Sequence, residues 1–349
     1  MQAAIRGIEY YLPERVLSNE ELAAEFPEWT AEKIHEKTGI VERHIVDGQE
    51  CASDLAVEAA GKLFASGVCR PQDIDYLMLC TQTPDYFLPT TACLLQERLG
   101  IPETAGAVDI GMGCSGYVYS LSLAQGLIAS GQASRLLLIT SDTYTRLIHP
   151  QDKSVRTLFG DGAAATLIEA APDDVPRKAA FVFGTDGRGA PNLIVPAGGF
   201  RRPQSPETAE VRPDADGIFR SANQLFMDGP EIFSFSLKAV PESVNRLLAR
   251  TGKRIEDIDL YVFHQANHYL LEHLRKKLQI PGERFWTWMA RCGNTTSSSI
   301  PIALKHALGE GRLAQGQHLL LAGFGVGYSW GAAMLEWPYL GCSPKLSTS

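Results

Sequence analysis

The chain has 349 residues, 45% hydrophobic, 21% charged and 9% aromatic, with a net charge of −8 and a pI near 5.6. That length suffices for one large two-lobed domain or two domains, and the acidity excludes an overall basic field for nucleic acid. No uninterrupted apolar run approaches the ~20 residues of a membrane-spanning helix. Seven cysteines without CxxC spacing argue against a disulfide framework or a structural zinc site, so a reduced, cytoplasmic protein is expected.

MQAAIRGIEYYLPERV, the first 16 residues, has no charged-then-apolar leader layout and predicts an opening strand. PQDIDYLMLCTQT (71–83) predicts a buried strand. AVDIGMGCSGYVYSLSLAQGLIASG (107–131) passes from a strand-like run to a helix in which Tyr117, Val118, Leu121, Leu127 and Ile128 keep helical spacing and Gly131 marks the stop. Cys114 lies at the junction, among Gly111, Gly113 and Gly116. Free amides at a helix start favour an anion, which would lower a thiol pKa from ~8.5 and make Cys114 a nucleophile. The alternative is a buried structural cysteine.

SRLLLITS (134–141) is another predicted strand, and the polar, Pro-containing stretch near 170–182 predicts a boundary between halves 1–172 and 173–349. Residues 196–217, rich in Pro, Gly and charge, read as a long surface loop. LYVFHQANHY (260–269) ends an apolar strand on His264, Gln265 and Asn267, at the kind of sheet edge where α/β proteins bind ligands. A satisfied polar group is the plain alternative for His264. LRKKL (274–278) places Arg275, Lys276 and Lys277 on a helical pattern, either as cations favoured at a helix C-terminus or as a docking patch. In RCGNTTSSSIPIALKHAL (291–308), Asn294 sits in a turn before a helix with Ile300, Ala303, Leu304, Ala307 and Leu308 on one face. LLLAGFGVGYSWGAAM (319–334) is a strand entering a glycine-rich loop. It serves either as a tight hairpin or as a source of free backbone N–H groups near a reacting centre.

Two of these segments echo two others. PQDIDYLMLCTQT matches RIEDIDLYVFHQA (254–266), with Asp75 and Asp259 184 positions apart. SRLLLITS matches QHLLLAGF (317–324), with Leu137 and Leu320 183 apart. A shared offset in the same order predicts an α/β fold of two duplicated halves, with the Cys114 and Asn294 turns brought together at the centre.

GMGCSGY, HQAN, GNTTSSSIP and GFGVGYSWG occur in that order, beside YLPERVLSNEEL (11–22), KTGIVERHI (37–45) and FGDGAAATLI (159–168). Together they resemble the β-ketoacyl-acyl-carrier-protein synthase III family of the thiolase superfamily. The resemblance implies a thiolase-like, five-layered αβαβα homodimer that needs no metal or redox cofactor. Cys114 would take an acyl group from acyl-CoA or an acyl-carrier protein. His264 and Asn294 would stabilise the enolate formed when a malonyl group on an acidic carrier protein loses carbon dioxide. The backbone amides of Cys114 and Val326 would form the oxyanion hole, and Phe324 would line the malonyl site.

The chain departs from the family pattern at its periphery. Where housekeeping members grip acyl-CoA with a tryptophan and arginines, this sequence has Lys33, Lys37, Lys153 and Tyr269, with Trp29 close by. Leu88 stands where an aromatic residue usually closes the partner's acyl pocket, which implies an acyl group larger than acetyl. A secondary-metabolism relative, using an unusual starter or passing the acyl group to oxygen or nitrogen, is the runner-up. A papain-like hydrolase is excluded by the missing Gln-containing motif around the cysteine. A biosynthetic thiolase is excluded by the absence of a cysteine in GFGVG.

Overall fold

The computed structural model describes residues 2–171 and 179–337. It contains two five-stranded sheets of matching design. In the first, Gln2–Tyr11 pairs with Gly162–Ala171, which pairs with Arg135–Asp142, then Tyr76–Cys80, then Gly106–Ile110. In the second, Ala180–Thr185 pairs with Ser329–Glu336, then His318–Gly325, Leu260–Phe263 and Phe285–Trp286. Each sheet has antiparallel first and second pairings and parallel third and fourth pairings.

The sequence echo has a local cause in both sheets. Asp75 accepts from the backbone N–H groups of Ser134 and Arg135, and Asp259 accepts from that of His318, so each carboxylate fixes the start of the neighbouring strand. The expected division at 172/173 falls outside the described residues.

Side chains alternate across the strands and find cover on both faces, which is why the central strands read as continuous apolar runs. Leu136 and Leu138 of the first sheet and Leu260, Val262, Leu319 and Leu321 of the second face a shared middle layer. That layer is made of helices Gly116–Ala129 and Ser299–Gly309, whose Tyr117, Val118, Leu121, Ile300, Ala303 and Leu304 are buried together. Leu77, Leu79, Leu137 and Ile139 point the other way, onto helices Ala52–Ala65 and Thr91–Arg98. Tyr261, Phe263 and Leu320 point onto helices Gly229–Thr251 and His268–Lys277. The result is the expected five layers, and both middle helices start at the same side of the molecule as the ends of strands Leu260–Phe263 and His318–Gly325.

Candidate active site

Cys114 precedes the helix that starts at Gly116, with Ser115 as its N-cap residue. The close packing explains the glycines. A Cβ on Gly116 would lie 2.3 Å from the Cys80 sulfur, and one on Gly325 would lie 3.1 Å from the Cys114 sulfur. The backbone of the second half thus meets the thiol directly.

His264 follows strand Leu260–Phe263, and its N–H donates to the Ala322 carbonyl at 2.7 Å, tying it to the strand that ends in Gly325. Asn294 is held by the first half: its N–H donates to Leu158 O at 2.8 Å, and its carbonyl accepts from Gly160 N at 3.1 Å. Cys114, His264 and Asn294 are all buried and line one cavity of ≈ 250 Å³ with Phe324 and Gly325. Phe324 stands edge-on to the His264 ring, 5.5 Å between centroids. The wall continues through apolar Leu158, Phe159, Leu193, Met227, Ile232 and Phe233 to Tyr269, which is exposed, so the cavity runs from the surface to the thiol.

The donor directions are set by neighbours. Asn294 Oδ1 accepts from the Thr296 N–H at 3.0 Å, which leaves its –NH2 free to donate. The Ser299 hydroxyl accepts from the Gln265 N–H and stands 2.7 Å from His264 Nδ1; with the hydroxyl donating to Nδ1, the ring hydrogen is on Nε2. Burial depresses the His264 pKa to about 3, against a smaller opposing effect of the Thr296 backbone, so the imidazole is neutral.

The helix start does not give Cys114 the low pKa expected from its place in the sequence. Burial, and then the negative charge of Asp142, push the thiol up to about 12, and only the local backbone hydrogen bond opposes them. The physical reason is desolvation: the sulfur is buried at the inner end of the cavity, where the charged form loses more to burial than it gains from the amides.

The peripheral residues divide. Tyr269 lines the cavity mouth, stacked on Phe233 at 5.6 Å between centroids. Lys33 and Lys37 lie over the Trp29 ring, at 5.4 and 5.2 Å from its centroid. Lys153 is ion-paired with Glu28, and the neighbouring Arg156 with Glu25. Arg275 is not a free docking cation: it pairs with Glu272 at 2.9 Å and donates to the Ile280 carbonyl, whereas Lys276 and Lys277 are exposed in the last helical turn. Leu88 is 86% exposed and lies outside the wall of this chain's own cavity. Val326 packs beside the Cys114 turn, its Cγ1 3.1 Å from where a Cβ on Gly113 would stand.

Sequence reading missed Leu158, Phe159, Leu193, Met227, Ile232 and Phe233, because apolar side chains that line a cavity carry the same pattern as those that fill a core. It also missed Asp142, whose only sequence signal is an acidic residue closing a strand of apolar ones. Among the described residues, no group of three or more His, Cys, Asp or Glu is placed to hold a metal ion. No described helix is long and apolar enough to cross a membrane.

Comparison with known proteins agrees with this geometry. The model of 3-oxoacyl-[acyl-carrier-protein] synthase III matches residues 108–187, and that of the C-terminal part of the same family matches 248–337. A β-ketoacyl-[acyl-carrier-protein] synthase III of Clostridium perfringens is 38% identical over 334 residues, covering 96% of this chain and 99% of the relative. A crystal structure of a 3-oxoacyl-(acyl-carrier-protein) synthase III superposes with a TM-score of 0.95 at 54% identity, covering 97% of this chain and 100% of that one. The priming β-ketosynthase of the R1128 polyketide pathway superposes with a TM-score of 0.82 at 27% identity, covering 97% of each chain. The chain therefore belongs to the 3-oxoacyl-[acyl-carrier-protein] synthase III family.

Proposed function

We propose that the chain transfers an acyl group from an acyl thioester to Cys114 and condenses it with a malonyl group on a carrier protein, giving a 3-oxoacyl-carrier protein. The observation that carries this reading is one cavity in which a thiol faces two neutral hydrogen-bond donors, with an apolar wall leading to the surface.

In the first half-reaction the Cys114 sulfur attacks the thioester carbonyl. The backbone N–H groups of Cys114 and Val326 receive the oxyanion, and the departing thiol carries away the Cys114 proton. Covalent capture divides one difficult step into two. In the second, the malonyl thioester carbonyl lies between His264 Nε2–H and the Asn294 –NH2, with Phe324 against the malonyl group. Loss of carbon dioxide leaves an enolate whose oxygen these donors stabilise, each by about 3–4 kcal/mol. The enolate carbon attacks the acyl-enzyme carbonyl, the C–S bond breaks, and Cys114 leaves as a thiolate that takes a proton from water. Two thioester substrates carry all of this chemistry, so the proposed reaction calls for no cofactor.

The enzyme acts as a cytoplasmic homodimer in which Leu88 reaches the partner's acyl pocket; its 86% exposure supports that placement. A smaller gate admits an acyl group larger than acetyl. The Trp29, Lys33 and Lys37 cluster meets the polar end of the donor, while Lys153 contributes only when released from Glu28. Lysine meets a phosphate as a point charge without the arginine fork, which favours a weaker CoA grip or a carrier-borne donor. The acidic carrier protein docks at Lys276 and Lys277. Charge reversal at both lysines is expected to slow carrier-dependent condensation and spare Cys114 acylation by acyl-CoA; steady-state kinetics against carrier concentration check this.

Intact-protein mass spectrometry after exposure to acetyl-, medium-chain and branched acyl thioesters, followed by malonyl-carrier protein, tests the whole reading. Acylation at Cys114 with carbon dioxide release supports it. Strict preference for acetyl removes the Leu88 argument. Product formation without carbon dioxide supports acyl transfer to oxygen or nitrogen instead.

A further inference from the structure

A donor to the enolate needs direction as well as place, and for Asn294 one residue supplies the direction. The Thr296 N–H holds Asn294 Oδ1 at 3.0 Å. Thr296 does this at φ +49°, in the left-handed region that β-branched residues avoid. Such a conformation persists only where its surroundings over-determine it.

Asp142 supplies that determination. Its Oδ2 accepts from the Thr296 hydroxyl, and from the Ser297 hydroxyl at 2.8 Å. Its Oδ1 accepts from the Gln82 N–H at 2.7 Å and the Thr81 hydroxyl at 3.3 Å. The carboxylate ends strand Arg135–Asp142 of the first half and is 1% exposed, yet it is not part of the cavity wall. A buried carboxylate is tolerable only while its donors stay in place, so four converging donors fix the position of the Thr296 side chain.

We propose that Asp142 is a positioning residue for the condensation half-reaction: it holds Thr296 in its left-handed conformation and thereby aims the Asn294 amide at the malonyl thioester oxygen. The inference rests on the decarboxylative reading above. Asp142 exchanges no proton and touches no substrate; its hydrogen bonds persist through the cycle. The competing view is that Asp142 only joins the two halves.

The two half-reactions separate these views. Cys114 acylation by acyl-CoA is followed by intact mass, and carbon dioxide release from malonyl-carrier protein is followed separately, in Asp142→Asn, Thr296→Val and Thr296→Ser. Positioning predicts that Asp142→Asn and Thr296→Val slow carbon dioxide release about 100-fold, the loss of one aimed donor, while acylation stays within about tenfold of wild type. Thr296→Ser, which keeps the hydroxyl, restores release to within a few-fold. The double variant Asp142→Asn with Thr296→Val is no slower than Asp142→Asn alone, since both act on one device. If Asp142→Asn does not fold, Thr296→Val, which leaves Asp142 three donors, carries the comparison. Parallel loss of both half-reactions, or unchanged carbon dioxide release, overturns the proposal. A wild type that accepts acyl groups but releases no carbon dioxide refutes the decarboxylative reading itself, and positioning falls with it. A wild type that condenses while the variants match it refutes positioning alone.

Discussion

The two turn-to-helix junctions occupy equivalent places in the two halves and are built from opposite materials. Around Cys114 the first junction has three glycines and a single thiol, with Ser115 bonded away to Ser329; from Thr295 to Ser299 the second is an unbroken run of hydroxyls. Cys114 and Ser297 are 183 positions apart, and so are Asp142 and Gly325, which end equivalent strands. Each junction meets the strand end of the opposite half. Cys114 meets Gly325, where even a Cβ would stand 3.1 Å from the sulfur. Ser297 donates to Asp142 at 2.8 Å. One scaffold contact is thus used twice, once stripped bare to leave room for a reactive atom and once filled with polar groups that hold donors still.

Removing the thiol is the largest way to break that division. Cys114→Ala is expected to abolish the acyl-enzyme mass and to lower turnover by at least about 10⁴-fold, because no other thiol lines the cavity. Next in size, His264→Ala and Asn294→Ala are expected to slow carbon dioxide release by roughly 10²–10³-fold each while leaving an acylatable Cys114. Smaller effects separate the two strand ends. Gly325→Ala places a methyl 3.0 Å from Cys114 Cβ, and acylation is expected to slow about tenfold with little change in melting temperature. Its counterpart Ser297→Ala removes one donor to Asp142 and is expected to cost about 1–3 kcal/mol of stability with acylation preserved, read by denaturant titration.

A pH titration sharpens the contrast further. With Cys114 pushed up to about 12, the neutral thiol is favoured, so alkylation by iodoacetamide is expected to rise about tenfold per pH unit from 7 to 10 without a plateau. A thiol held below the usual ~8.5 by the helix start would level off by about pH 8 instead. His264, neutral above about pH 3, contributes no inflection near 6.5.

Much of the fold was legible because buried parallel strands and a middle helix leave strong apolar signatures. Leu137 and Leu320 echo one another because both point from equivalent strands toward outer helices. Cys114, His264 and Phe324 were legible as well, since each stands where an apolar run gives way to a turn, and Asn294 was legible as a turn residue ahead of an apolar helix. The cavity wall was not. Phe233 and Met227 come from segments whose patterns describe burial without saying what is buried beside them. Asp142 was hidden for a different reason: its meaning lies in hydroxyls more than 150 positions away, a relation that no local pattern contains. The thiol pKa failed for a third reason, because a helix start is visible in sequence and the depth at which it lies is not.

The middle layer has a consequence for how the molecule comes apart. Helices Gly116–Ala129 and Ser299–Gly309 bury their side chains against both sheets at once, so neither half owns a complete core. A separated half would keep its own middle helix on its sheet but expose the rest of that sheet face and the far side of the helix to water. The halves are therefore bound to melt in concert, and the fold tolerates chemical divergence between its two junctions only because it cannot be dismantled into two lesser proteins.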